Sequence, residues 1–362
     1  MGLNITMADV SIIIVNWNVR DLLRRCLVSI QASPGVRLDA GAVTLPAASG
    51  ANAGPTVPTV PTMEVVVVDN ASGDGSAEMV RREFPWARVI ANSENRGFTA
   101  ANNQGIAACS GRYLLMLNPD TELLDGALKV MLDFIETHPS VGLVGPQLRY
   151  GNFQPPDGAA AGNLAGSGGV QSSRRRFPTL ATAFVESTVL QGLFQGSHVL
   201  RDYYVQDQPD DITQEVDWVV GAAMMVRRSV VEQVGGLDEG FFMYSEELDW
   251  CRRIKAAPAP GGGRWQVMYL PAARVVHHEG RSSAQAPALK QIQFHVSKVR
   301  YFRKYHGWLA AQALRLFLLG TYTYQIVEES AKWLVGHKRP LRAQRVSIYW
   351  QVLRSGLHPT GT

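Results

Sequence analysis

Cysteine is scarce in this chain, with three in 362 residues. Cys26, Cys109 and Cys251 are widely separated, each within a stretch of helical pattern. No metal spacing or disulfide framework follows from them, and a reducing compartment is the simplest fit. Long hydrophobic runs are missing too. The longest lies between Arg315 and Gln325, well short of the ~20 residues that a transmembrane helix needs. The N-terminal residues lack a basic segment leading into an apolar run and a small-residue cleavage site, so no signal peptide is expected. Two phosphate cradles are absent. No G-x-G-x-x-G follows the first strand-like run, and G-x-x-x-x-G-K-[ST] does not occur. Dinucleotide and P-loop chemistry therefore have no support.

What is present is the composition of a globular protein, 46% hydrophobic and 18% charged, which excludes global disorder. The length accommodates one large α/β domain plus an appendage. The net charge of +4 hides an asymmetry: from Lys290 onward there are 12 Lys/Arg and 2 acids, a surplus of 10 that leaves the preceding part at −6. This basic tail holds no nucleic-acid-binding motif. Its cations are interleaved with Trp308, Leu309, Leu314, Phe317, Trp333 and Trp350. That mixture suits a helix on an anionic membrane surface, and equally helices packed against the main domain or a second subunit.

Residues 10–15 form a β-branched run, as expected of a buried parallel strand. Residues 20–30 place Leu22, Leu23, Cys26, Leu27 and Ile30 on one helical face. Residues 34–62, dominated by Ala, Pro, Thr, Gly and Val without periodicity, read as a flexible insertion. A strand at 64–68, a helix at 76–84, a strand at 88–90, a helix at 98–109 and a strand at 113–117 follow. This alternation predicts an α/β fold with a mostly parallel sheet covered on both faces. The second half adds a helix at 125–137, a strand at 141–145 and a Gly/Ala-rich loop at 150–173. A strand-like run at 217–226, a short helix at 228–234 and a last strand at 265–270 complete it. Residues 1–285 are thus expected to form one domain, with insertions at about 34–62 and 150–173, and residues 286–362 a basic amphipathic helical tail.

In open α/β sheets, ligands collect at the carboxyl ends of the strands. That rule brings together Asn16, Trp17 and Asn18, then Asp69 and Asn70, then Asn118, Pro119 and Asp120. Asp69 is placed to accept from a nucleobase or ribose, although turns use acids at such positions as well. Asp120 with a distant His fits a hard cation, Mg²⁺ or Mn²⁺, shared with substrate phosphate oxygens. An Asx-Pro turn leading into the next helix accounts for the same residues equally well. Gly221, followed by two alanines within a strand-like run, marks close approach of a ligand or another backbone. Further on, an aromatic stretch at 241–244 leads into Glu246, Glu247 and Asp249. Glu246 and Asp249 share a helix face, Asp249 reaches Arg253, and Glu247 projects elsewhere. Acids in a first turn suit the helix dipole without any function. Behind aromatics they also suit a general base against a sugar-sized cleft.

Residues 10–18, 65–72, 92–103, 113–122, 219–237 and 241–253 carry, in this order, motifs that resemble those of family 2 glycosyltransferases, more narrowly a bacterial rhamnosyltransferase-like branch. The resemblance implies a GT-A fold, a Rossmann-like domain with a C-terminal helical extension. It also implies a nucleotide-sugar donor, a divalent cation and inversion at the anomeric carbon. Position by position, it implies that Asp69 contacts the base with Asn18 and Asn70 beside it. Asn95, Arg96 and Gly97 would close over the nucleotide, with Asn102 on the helix behind them. Asn118 and Asp120 stand at the D-x-D metal site, where Asn replaces the first acid, and His277 matches a later metal or diphosphate ligand. Glu247 stands where the family usually places a catalytic Asp, with Glu246 and Asp249 orienting it; the choice of base lies among these three. Trp218, Gly221 and Tyr244 are assigned to the acceptor side.

The expected reaction moves L-rhamnose from dTDP-rhamnose to a glycan or lipid-linked glycan in cell-surface polysaccharide biosynthesis. The expected location is cytoplasmic, at the inner face of the membrane, with the tail on an anionic surface or in a homodimer and with no nucleic-acid partner. Asn118 and Glu247 also fit a nucleotide-sugar-binding protein that has lost catalysis. A nucleotidyltransferase would need a Gly-rich cationic loop near the first strand, which Asn16, Trp17 and Asn18 do not form. A processive synthase would show Q-x-x-R-W and a block of transmembrane segments, and neither occurs.

Overall fold

A computed structural model describes residues 8–38, 60–151, 169–186, 188–194, 196–278, 285–336 and 338–359. The first half alternates strand and helix: β1 (Val10–Asn16), α1 (Arg20–Gln31), β2 (Arg37–Leu38), β3 (Thr62–Asp69), α2 (Ser76–Glu83), β4 (Ala87–Ala91), α3 (Phe98–Ala108) and β5 (Tyr113–Leu117). Next come β6 (Thr121–Leu124), α4 (Ala127–Thr137), β7 (Val141–Tyr150), β8 (Val170–Gln171) and β9 (Arg174–Arg175). α5 (Leu180–Val185), α6 (His198–Tyr203), β10 (Gln214–Glu215), β11 (Trp218–Val219) and β12 (Ala223–Arg227) follow. α7 (Arg228–Val234), α8 (Glu246–Ala256) and β13 (Gln266–His277) precede the tail helices α9 (Pro287–His306), α10 (Trp308–Leu334) and α11 (Arg339–Ser355).

The main sheet runs β10-β13-β7-β12-β5-β1-β3-β2, with β4 also on β3, β6 on β13 and β8 on β7. β1 is parallel to β3 and β5, β3 to β4, and β7 to β13. β12 lies antiparallel between β5 and β7 and joins the two parallel groups. Every residue of β1 is buried, which is why its apolar run lacks polar alternation. Its side chains divide by parity. Ile12 and Ile14 pack with Leu23, Leu27 and Leu128 on one face, and Ile13 and Val15 with Ala101 and Trp250 on the other. The second core continues into the tail through Tyr301, Phe302, Leu314, Leu318 and Tyr322. Each such fully buried side chain contributes roughly 1.5–3 kcal/mol, so α9 and α10 are held on the domain by an apolar seam.

Several local expectations shift. The start of the 34–62 insertion is an edge strand, because β2 pairs with β3; residues 39–59 and 152–168 lie outside the described set. The residues after Asp120 form β6 before any helix, and Asp125 and Gly126, both at positive φ, turn the chain into α4. Cys109 closes α3 instead of lying within it, and the last strand runs on to His277. All three cysteines are buried and free.

Candidate active site

The strand-end loops converge. A cavity of about 690 Å³ opens at the carboxyl ends of β1, β3 and β5, lined by Trp17, Asn70, Asn95, Asn118 and Asp120 together with Gly221, Tyr244, Glu246, Glu247 and His277. Asn70 organises the donor side. Its Oδ1 accepts from the Arg96 backbone N–H (3.0 Å) and Asn92 Nδ2 (3.1 Å), while its Nδ2 donates to Asn95 Oδ1 (2.8 Å) and the Gly97 carbonyl (3.1 Å). Gly97 takes φ +85°, and a Cβ there would lie 2.7 Å from the Phe242 ring. The loop at 92–97 is therefore clamped onto β3 and against the segment leading into α8.

Other expected donor residues are placed differently. Asp69 is 4% exposed and does not line the cavity; it accepts from Asn16 Nδ2 (3.0 Å) and the Ser72 backbone N–H (3.1 Å), tying the tips of β1 and β3. Asn18 caps the same turn by accepting from the Gly73 N–H, and Asn102 donates to the Phe98 carbonyl inside α3. Trp218 donates its indole N–H to the Arg176 carbonyl. Asn18, Arg96, Gly97, Asn102 and Trp218 all stand outside the cavity lining.

The antiparallel pairing of β6 with the end of β13 sets Thr121 opposite His277 and so brings Asp120 beside it. His277 Nδ1 meets Gln171 Oε1 at 3.0 Å; an amide oxygen only accepts, so Nδ1 carries the proton. Nε2 then faces Asp120 Oδ1 at 3.5 Å, and both residues line the cavity. Burial pushes the Asp120 carboxyl up, but His277 and His278 outweigh it and hold it below the usual range. Asn118 Oδ1 is buried and has no partner among the described residues. His278 turns to Glu122 instead (2.6 Å).

At the opposite wall, Tyr244 and Ser245 both adopt left-handed backbone conformations, which swing the first turn of α8 into the cavity. Two successive non-glycine residues held this way represent strain of a kind that clusters at functional sites. Glu246 is 4% exposed, while Glu247 keeps part of its surface open. Each has an Oε2 without a partner among the described residues. Burial, then repulsion from Glu247, pushes the Glu246 carboxyl well above its usual range. Burial also raises Glu247, but the backbone N–H groups of Glu247, Leu248 and Gly221, with Arg175 further off, oppose the rise. Burial pushes both carboxyls toward the protonated form, and repulsion between them adds to this, so the pair is built to share a proton. Asp249 points away from both. It is fully buried, outside the cavity lining, and bound by Arg253 (2.8 Å), Lys304 (2.6 Å) and the Tyr305 hydroxyl (2.7 Å), an anchor between α8 and α9.

Residues 11–235 match the family model described as glycosyl transferase family 2. The chain belongs to glycosyl transferase family 2. It falls in the rhamnosyltransferase-like branch of that family, and it is a glycosyltransferase. It is 28% identical over 307 residues, covering 82% of this chain and 89% of the relative, to an N-acetylglucosaminyl-diphospho-decaprenol L-rhamnosyltransferase of Mycobacterium tuberculosis. Over 70 residues, 18% of this chain and 24% of the other, it is 39% identical to the rhamnosyltransferase WbbL of Escherichia coli K12. Among solved structures, GalNAc-T7 with UDP, GalNAc and Mn²⁺ aligns with a TM-score of 0.50 at 14% identity, over 98% of this chain and 56% of that one. The fold is GT-A. In this family 2 enzyme the acid pair of α8 lies beyond the matched span. So does the wall contributed by Lys290, Gln291, Phe294, His295 and Tyr322, which sequence reasoning missed. Their only signal was polar residues breaking the apolar face of the tail.

Proposed function

We propose that this chain transfers L-rhamnose from a nucleotide-activated donor to a hydroxyl of a lipid-linked glycan, inverting the anomeric carbon. The observation that carries the reading is one cavity with Asp120 and His277 on one wall and Glu246 and Glu247 on the other. Glu247, the member of the pair whose charge the backbone N–H groups support, accepts the proton of the acceptor hydroxyl on its Oε2, which has no partner among the described residues. The acceptor oxygen forms its bond to the anomeric carbon as the bond to the diphosphate oxygen breaks, and the electron pair leaves with the nucleoside diphosphate. Glu246 stays protonated, so the base is not paired with a second buried charge.

Asn118 Oδ1, which has no partner among the described residues, and the Asp120 carboxylate are hard oxygen donors that fit Mg²⁺ or Mn²⁺, with His277 Nε2 as a borderline nitrogen donor beside them. When bound there, such a cation supplies Lewis-acid stabilisation of the departing diphosphate. Asn70 and Asn95 position the donor nucleotide from the other side of the loop.

A lipid-linked acceptor is favoured by α10. Leu309, Leu316, Val327 and Leu334 recur along one outward face of that helix and are all exposed. Arg315 and Lys332 balance Glu328 and Glu329 within α10, so it is this apolar row, more than charge, that would meet a bilayer. No helix among the described residues is long and apolar enough to cross a membrane. Nucleoside diphosphate release, measured over a panel of dTDP-, UDP- and GDP-sugars with a glycosyl-diphospho-prenol, tests the reaction. dTDP-rhamnose should lead the panel, and turnover confined to another sugar overturns the donor assignment. Flotation with anionic liposomes should be lost in Leu316→Asp; unchanged flotation removes the membrane contact.

A further inference from the structure

The wall of the cavity facing the strand-end loops comes from the tail. Gln291 Oε1 and His295 Nδ1 are both buried there without a partner among the described residues, and His295 is only 6% exposed. Burial, then the neighbouring Lys298, holds the His295 pKa down to about 3. The ring is therefore a neutral hydrogen-bonding group at any physiological pH. Neutral polar atoms set idle in a packed wall are costly, and native structures rarely leave them so.

Their surroundings are aromatic. Phe294 meets Tyr244 edge-on with ring centres 5.6 Å apart, and His295 meets Tyr322 at 5.4 Å. Apolar rings with a few convergent polar groups suit a pyranose, which offers a C–H face to the rings and hydroxyls at its edge. Toward solvent, Lys290 also lines the cavity, is exposed, and has no carboxylate partner among the described residues.

We infer that α9 and α10 build an acceptor-sugar subsite in which Gln291 and His295 hydrogen-bond the hydroxyl or acetamido groups of a pyranose seated against Phe294 and Tyr322, and Lys290 meets the diphosphate joining that sugar to its carrier. This rests on the transfer reaction proposed above and deepens it by assigning the acceptor side. Glu247 lines the same cavity, so a sugar held by the tail presents its hydroxyl to the base. Specificity for the acceptor then lies in helices beyond the span that matches the family model.

The test uses the full chain, dTDP-rhamnose and N-acetylglucosaminyl-diphospho-farnesol. Gln291→Ala and His295→Phe, the latter keeping the ring volume, should each raise the KM for the prenol probe about tenfold, the loss of one neutral hydrogen bond. The donor KM should stay within about twofold. Lys290→Ala should raise the KM for this probe and leave that for an N-acetylglucosamine glycoside without diphosphate unchanged. Donor and acceptor KM rising together would overturn the subsite. Direct titration of the probe onto dTDP-loaded protein separates the two levels of the reading. A wild type that binds the probe without transferring to it sinks the reaction and keeps the subsite. Gln291→Ala and His295→Phe variants that bind the probe as tightly as wild type sink the subsite.

Discussion

Replacing Glu247 by Gln preserves the length of the side chain and removes its charge. General-base assistance is worth ~10²–10⁴-fold, and the neighbouring acid decides where in that range the loss falls. In the wild type burial and the charge of Glu247 both disfavour ionisation of Glu246, so it substitutes poorly. Once Glu247 is neutral, that repulsion disappears and Glu246 ionises more readily, so it recovers part of the function. A kcat loss of about 10³-fold is expected for Glu247→Gln, with a further loss in the double variant with Glu246→Gln, and the two effects should not add. Nucleotide affinity, read by titration, should hold within about twofold.

Stability carries the same argument with a definite sign. Both carboxyls have folded-state pKa values raised above their unfolded values. Their contribution is therefore fully present below the unfolded value and is lost as pH rises through the folded ones. Glu247→Gln should be more stable than wild type at neutral pH, with the gap closing toward about pH 4. The acid limb of the wild-type kcat profile should likewise lie above the ordinary carboxylate range. Denaturant unfolding across pH, beside nucleoside diphosphate release, measures both. Near-normal turnover refutes Glu247 as base, and a variant less stable than wild type at neutral pH refutes the shared-proton account of the pair.

Asp120→Ala should abolish the Mn²⁺ dependence of donor binding; titrations that remain identical with and without Mn²⁺ would remove the cation site. Gly97→Ala forces a Cβ into Phe242 at positive φ, a strain of about 1–3 kcal/mol. It should weaken nucleotide binding about tenfold by loosening the loop that Asn70 clamps, and wild-type affinity would show that the clamp does not shape the donor site. Asp249→Ala strands Arg253 and Lys304 around a buried hole. It should cost about 3 kcal/mol in urea unfolding while the folded fraction keeps its nucleotide affinity, whereas lost turnover at full stability would return Asp249 to the chemistry.

In the parallel group β4-β3-β1-β5, β1 and β3 were legible as unbroken Val/Ile runs and β5 as a Leu/Met run, the pattern of strands buried on both faces. The short pieces were not. β2, β6 and β8 to β11 are each two to four residues long, too few for any period to register, and their pairing is fixed by partners distant in sequence. β6 matters most. A turn into a helix and a strand against β13 read identically at Asn118, Pro119 and Asp120, and only the distant end of β13 decides between them. The tail presents the opposite case. Its helices were plain from composition, but an apolar helix face looks the same whether it meets a bilayer, another subunit or the domain's own core, and here one face meets the core while another stays open.

Within the site, residue type was legible and orientation was not. Asp69, Asp120, Glu246, Glu247 and Asp249 all read as acids at element ends, and sequence ranks them only by motif. What separates them is whether an oxygen is left over. Asp69 has both oxygens engaged by Asn16 and Ser72, and Asp249 is enclosed by two cations and a phenol. A carboxylate with both oxygens tied to neighbouring elements serves first to hold those elements together. Glu246 and Glu247 each keep a buried oxygen without a partner among the described residues, and Asp120 faces a histidine nitrogen in the cavity wall. Unfilled hydrogen-bonding capacity in a cavity is the physical mark of a reacting group, because native packing otherwise removes it. By that measure we place Glu247 and Asp120 in the proposed chemistry and Asp69 and Asp249 in the frame, with Gln291 and His295 set to meet a ligand.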